Sequence, residues 1–257
     1  MDSMTNRGEG GQPYGLLLLS LSVVGILMLG LAIAAVAGLA ATGIDAALFG
    51  WQPTLERVTQ VMKAAGSEHS RLGLRAALVL SSVVYGAIIV AILVFAHWRG
   101  GKSWRDLVAW RPLKPALTDR WLWAIVAAAI LYSIAAAVLL DRFDQQAQFT
   151  FKIPEDSVAS LILIALAVVV APVTEELLFR GWIYTGLRHK LGLWPALLLS
   201  SALFAVAHYE DTHIYALAVF PVGLALGGLR ERSGSIKAPI LFHALYNLAT
   251  VALAVLD

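Results

Sequence analysis

The sequence contains no cysteine. That excludes disulfides, thiol nucleophiles and cysteine-based metal sites. Charge is scarce as well: 14% of residues are Asp, Glu, Lys or Arg, where a water-soluble domain carries about 25%. The charges nearly cancel, at +2 overall, which is too little to argue for a nucleic-acid partner. No HExxH string occurs, so the zinc-metalloprotease signature is missing. Ser200 and Ser201 are not followed by a glycine-framed nucleophile turn. What fills the chain instead is apolar: 59% of its 257 residues are hydrophobic and the mean hydropathy is +0.76. The composition predicts an all-α, polytopic helical membrane protein.

Runs of about 20 apolar residues mark the expected spans. They are Leu16–Ala41, Leu74–Ala96, Trp121–Leu140, Val158–Leu187, Trp194–His208, Tyr215–Leu229 and Pro239–Leu256, about seven in all. The first run is longer than a signal-peptide core of about 7–15 residues and follows only one basic residue, Arg7, so it reads as an uncleaved helix. The fourth would be ~45 Å long at ~1.5 Å per residue and must tilt or bend, with Pro172 as the expected bending point. Between the first two spans, Leu55, Val58, Val61 and Met62 recur at helical spacing, which suggests an eighth, interfacial or re-entrant segment within 45–71.

The loops support this count. Those after the second, fourth and sixth spans are basic, carrying for example Arg99, Lys102 and Arg105, then Arg188 and Lys190, then Arg230, Arg232 and Lys237. Those after the third and fifth are acidic, with Asp141, Asp144, Glu155 and Asp156, then Glu210 and Asp211. The positive-inside rule then puts the N-terminus in the cytoplasm. Trp98, Trp104 and Trp110 in the loop after the second span suit a membrane interface.

Ionisable groups are nearly absent from the first three spans and gather in the last four. At membrane depth such groups cost roughly 2.5–3.5 kcal/mol each on insertion scales, so they mark function by default. Glu175 and Glu176 stand side by side in APVTEELLFRG, with Arg180 four residues beyond Glu176 and on its helix face. Glu175 is turned roughly 100° away. Phe204 and His208 are spaced i,i+4, as are His243 and Asn247. Burial disfavours the charged form of a carboxylate and tunes it toward general acid or base work. Arg180 would hold Glu176 ionised, so the two acids would take different roles. Glu175 with His208 could hold and deprotonate a water, while the Asn247 amide and a His243 N–H are donors of the kind that stabilise an oxyanion. This is the equipment of an amide hydrolase that uses water and no acyl-enzyme. Each group also has a structural interpretation: an ion pair between helices for Glu176–Arg180, hydrogen-bonding glue for His243 and Asn247, a helix-end histidine for His208, and packing for Phe204.

EExxxR at Glu175–Arg180, FxxxH at Phe204–His208 and HxxxN at His243–Asn247 resemble, in order and spacing, the CAAX prenyl endopeptidase and bacteriocin-processing family, also called the Abi family. Its members are glutamic-type intramembrane proteases. The resemblance covers residues 158–257, the last four helices, and leaves 1–157 as a separate N-terminal region of about three helices. It implies that Glu175 activates water with help from His208, that His243 and Asn247 form the oxyanion hole, and that Glu176 and Arg180 support the site. It implies no cofactor and no metal. Membrane lipids and a membrane-associated or precursor peptide would be the partners, with a prenylated CAAX substrate not expected in a bacterial cell membrane. Two alternatives stay open. One is a metal-dependent membrane hydrolase, with Glu175, His208, His243 and the string from His208 to His213 as donors. The other is a non-catalytic immunity or scaffold protein.

Overall fold

The computed structural model describes residues 15–65, 70–113, 118–142, 153–209 and 213–256, and among these every regular element is helical. The main helices are α1 (Leu16–Phe49), α2 (Trp51–Ala65), α3 (Arg71–Gly100), α4 (Arg120–Arg142), α5 (Ser157–Leu191), α6 (Leu193–Ala207), α7 (His213–Ser233) and α8 (Lys237–Leu256). Lipid offers no hydrogen bonds, so apolar runs must satisfy their backbone internally, and helices do so. Many large apolar side chains point outward, Leu17, Leu39 and Leu131 among them. In water that surface would drive aggregation; against acyl chains it costs nothing. The chain is an integral membrane protein.

Each of the seven expected spans is a helix. Five are long and apolar enough to cross a bilayer: Leu16–Phe49, Arg71–Leu107, Arg120–Leu139, Ser157–Leu191 and Lys237–Val255. The other two fall short for physical reasons. Helix α6 is apolar but has 15 residues, about 22 Å at ~1.5 Å each. Helix α7 has Pro221 in its interior and ends in Arg230, Glu231 and Arg232. The expected segment between the first two spans is α2. It starts after Gly50, whose φ of +88° turns the chain out of α1. It is tied back to α1 by Thr54, which donates to Asp45 at 2.6 Å. The Asp141–Asp156 loop lies mostly outside the described residues, as does the polar stretch 1–14.

Helix α5 is capped at its start by Asp156, whose carboxylate accepts from the Ala159 N–H at 2.8 Å and pairs with Arg75 of α3 at 2.6 Å. Gly192, with φ +81°, ends it.

The chain divides into two compact units. One comprises Met1–Val24, Ile92–Val138 and Glu176–Pro239; the other comprises Gly25–Ala91, Leu139–Glu175 and Ile240–Asp257. In the first, α7 lies close against α6 through glycines four residues apart. A Cβ on Gly223 would come within 3.2 Å of Ser201 Cβ, and one on Gly227 would overlap Leu197. Small residues at this spacing let helix backbones approach in the absence of a hydrophobic drive. In the second, Gly30 of α1 admits Ile88 of α3 in the same way. Along the chain, the passage from one unit to the other falls between Glu175 and Glu176.

Candidate active site

The site is built on an irregular stretch of α5. The turns Ala171–Glu176 are ordinary α-helix, but Leu166–Val170 before them and Leu177–Ile183 after them widen to i→i+5 bonding. The Ala171 N–H bonds Leu166 O, and the Tyr184 N–H bonds Phe179 O. Pro172 has no N–H to give, so the ladder is already interrupted where it stands. The helix answers by widening beside Pro172. Such π-type turns re-aim side chains and release carbonyls, and they recur at functional sites.

One released carbonyl has a partner. Asn247 Nδ2 of α8 donates to Ala167 O at 2.8 Å. One turn earlier on α8, His243 Nε2 lies 3.9 Å from Glu175 Oε2, with side-chain exposures of 9% and 15%. As α8 advances from His243 to Asn247, its contacts on α5 step back from Glu175 to Ala167, so the two helices run antiparallel here. Just before Glu175, Thr174 is pinned by bonds to Val170 O at 2.8 Å and Tyr85 O at 3.3 Å. The backbone is thus fixed immediately before the residue that carries this carboxylate. A separation of 3.9 Å is beyond a direct hydrogen bond, yet one water oxygen can reach both atoms from the side at ~2.8 Å.

Glu176 is in different company. Its Oε1 accepts from Arg180 Nη1 at 3.0 Å, and both side chains are completely buried. Arg180 Nη2 donates to Gly223 O of α7 at 2.9 Å. The guanidinium carbon sits 4.2 Å from the centre of the Phe204 ring. That ring meets Phe179 edge-on at 5.3 Å and lies 4.4 Å from the His208 ring. The arginine thus has a carboxylate, a carbonyl and an aromatic face around it, which is what a buried cation requires. His208, the C-cap of α6, has Nδ1 2.8 Å from Phe204 O. A carbonyl only accepts, so Nδ1 carries the hydrogen and Nε2 is the basic nitrogen of the neutral ring.

Of the residues singled out in the sequence, then, Glu175 comes together with His243, Glu176 with Arg180, and Phe204 with both Arg180 and His208. Asn247 binds the helix backbone two turns upstream of Glu175. Sequence reasoning missed the Gly223 carbonyl, a backbone atom whose one signal is the glycine that lets α7 come close. It favours packing over chemistry for Phe204 and misses that what the ring packs on is a cation. Among the described residues no group of three or more His, Asp or Glu is arranged to hold a metal ion. Glu210, Asp211 and Thr212 lie outside the described residues, as does the His213 side chain.

Comparison with known proteins bears on the same region. The chain is 36% identical over 93 residues to an "Uncharacterized 24.3 kDa protein" of Escherichia coli, covering 35% of this chain and 43% of that one. It is 30% identical over 90 residues to "Putative membrane peptidase YdiL" of Bacillus subtilis, covering 35% and 36%. It is 34% identical over 83 residues to "UPF0177 protein YbdI" of Lactococcus lactis, covering 32% and 44%. The chain thus spans less than half the length of each of these relatives. No solved structure matches it. Residues 157–249 match the family described as Type II CAAX prenyl endopeptidase Rce1-like. That segment contains all three motifs, so the match falls on the same residues as the resemblance to the CAAX prenyl endopeptidase family.

Proposed function

We propose that the protein is a glutamic-type intramembrane endopeptidase that cleaves a peptide bond of a membrane-associated or precursor peptide. The observation that carries this is the contact between Glu175 and His243, two titratable groups 3.9 Å apart on apolar helices, inside the segment matching the Rce1-like family. Glu175 takes a proton from a water molecule as its oxygen attacks the scissile carbonyl carbon. The carbonyl oxygen becomes an oxyanion, for which N–H groups of His243 and Asn247 are the donors. Glu175 then returns the proton to the leaving nitrogen as the C–N bond breaks, giving a carboxylate and an amine. For His208 the support is the FxxxH motif and the basic Nε2, the nitrogen that would assist the base. Glu176 and Arg180 hold the helix that presents Glu175.

The test is direct. The protein and its Glu175→Ala variant, purified in detergent, are compared on a panel of membrane-tethered peptides, with and without a chelator. Cleavage by the parent alone, indifferent to chelator, is expected; equal turnover by both would remove Glu175 from the chemistry. Chelator-sensitive turnover would revive the metal-dependent alternative.

A second interpretation of one residue has its own observation. Asn247 donates to Ala167 O at 2.8 Å, which suits a lock between α5 and α8 as well as an oxyanion donor. The amide has two hydrogens, so the roles are compatible, and their energies separate them below. By charge distribution, the N-terminus faces the cytoplasm of a bacterial cell membrane; reporter fusions at the loops check that orientation.

A further inference from the structure

A basic patch gathers where α7 ends, α8 begins and the segment 108–111 docks on the turn between them. The Ile236 N–H bonds Ala109 O at 3.0 Å, and Ser235 Oγ donates to Arg111 O at 2.7 Å. These bonds bring Lys237 over the Trp110 ring, 5.1 Å from its centre. Most arginines here have an acid of their own. Arg188 pairs with Glu231 at 3.0 Å, Arg111 with Asp106 at 3.0 Å, and Arg232 with Asp119.

Arg230 differs. No described carboxylate lies within 4.0 Å of it; its sequence neighbour Glu231 serves Arg188 through Oε1 and takes the Tyr184 hydroxyl at 2.6 Å through Oε2. Its hydrogen bond among the described residues is a long one, Nη2 to Thr185 Oγ1 at 3.4 Å. Its Nε is sealed from solvent with no acceptor. Burial, partly opposed by Tyr184 and Glu231 and reinforced by the nearby Arg111, lowers its pKa to about 10, which leaves it a cation at neutral pH. Glu231, already shared by Arg188 and Tyr184, offsets this charge only in part. A half-buried guanidinium with no described carboxylate in contact and further positive charge beside it favours an anion from outside.

We propose that Arg230, with Arg111 and Lys237 at its rim, holds the phosphodiester of an anionic phospholipid headgroup. The planar guanidinium fork matches two non-bridging phosphate oxygens. The patch lies at the ends of membrane helices, where headgroups are, and Trp110 gives the indole that favours that depth. Arg111 and Lys237 disfavour the ammonium of a zwitterionic headgroup.

The test uses the full-length protein in a neutral detergent. Thermal unfolding is followed while short-chain phosphatidylglycerol, short-chain phosphatidylcholine or inorganic phosphate is added. Phosphatidylglycerol should raise Tm saturably, and the other two should do much less. Arg230→Gln should weaken the apparent affinity about tenfold or more, the usual scale of a lost charge-assisted contact. Lys102→Gln, which removes the same charge from an exposed position, should respond like the parent, and Arg230→Lys should keep part of the response. If Arg230→Gln does not fold, the double variant R111Q/K237Q reads the rim of the same site and should lose headgroup selectivity. A parent that does not respond, an R230Q protein that responds like the parent, or equal shifts from free phosphate and phosphatidylglycerol would each overturn the proposal.

Discussion

Glu175 and Glu176 are neighbours in the chain with opposite surroundings. Glu176 is completely buried and bonded to Arg180, which is itself held by a carbonyl and a ring face. Glu175 keeps some exposure, and an imidazole, that of His243, lies 3.9 Å from it. Arg180 gives Glu176 a fixed and fully buried partner. A carboxylate beside an imidazole is the pair that the proposed proton transfer uses. One residue of helical rotation separates an acid suited to holding structure from an acid suited to chemistry.

The sharpest way to break this comparison is to neutralise each acid in turn. Glu175→Gln should lower peptide cleavage by about 10²–10⁴-fold, the usual span for a lost general base, with thermal unfolding close to the parent. Glu176→Gln should do the reverse. It strands a buried arginine charge, which costs about 3–5 kcal/mol, and activity should fall only in step with the folded fraction. Parallel unfolding and turnover measurements on both variants decide it. Similar losses of stability in the two would show that the acids share one structural role.

The next test concerns Asn247. If its amide stabilises an oxyanion, Asn247→Ala should cost about 10²–10³-fold in kcat. If it only locks α8 to Ala167 O, the loss should appear in stability, at about 0.6–2 kcal/mol, with kcat per folded molecule unchanged. Initial rates normalised to folded protein separate the two.

Phe204 should matter less. Phe204→Leu removes the face under Arg180 while keeping bulk, for a loss of about 0.5–2 kcal/mol from the cation contact. Phe204→Trp offers a stronger face and should recover part of that loss where its size is tolerated. Denaturant unfolding in mixed micelles measures both.

These contrasts explain how far the sequence alone can be interpreted. The Glu176–Arg180 pair follows from spacing on one helix, because i,i+4 neighbours touch whatever surrounds them. That His243 and Asn247 share a face of α8 follows for the same reason. Which of them meets Glu175 does not follow, because it depends on how α8 packs on α5. The sequence suggests His208 as the partner of Glu175 and His243 as a donor beside Asn247; it gives no sign that His243 also lies 3.9 Å from Glu175. The wide turns on either side of Ala171–Glu176 have no residue signature beyond Pro172, since i→i+5 bonding is chosen by packing rather than by side chain. The seven helices were legible from apolar runs, but the shortness of α6 and the proline and glycines within α7 blur the criterion of about 20 apolar residues where the site is built.

A third acid, the N-cap of α5, sharpens the comparison from the other end. Asp156 also pairs with an arginine, Arg75, but that guanidinium is 43% exposed and its charge is screened by solvent. The Arg75 hydrogen bond, and after it the Ala159 N–H, hold the Asp156 carboxyl down at about 2. An unfolded aspartate titrates near 3.9. A depressed carboxylate stabilises the fold above its unfolded pKa and loses that contribution as pH falls through its folded one. The stabilisation should therefore be complete above about pH 4 and fade toward pH 2. Asp156→Asn keeps a side chain able to cap the helix but has nothing to titrate, so the variant's Tm should lie slightly below the parent's at neutral pH and converge on it near pH 2. Asp156→Ala, which also removes the cap, should stay below the parent throughout. A Tm for Asp156→Asn that tracks the parent at every pH would show that solvent screening leaves this pair no net effect, unlike what is expected of the fully buried Glu176–Arg180 pair.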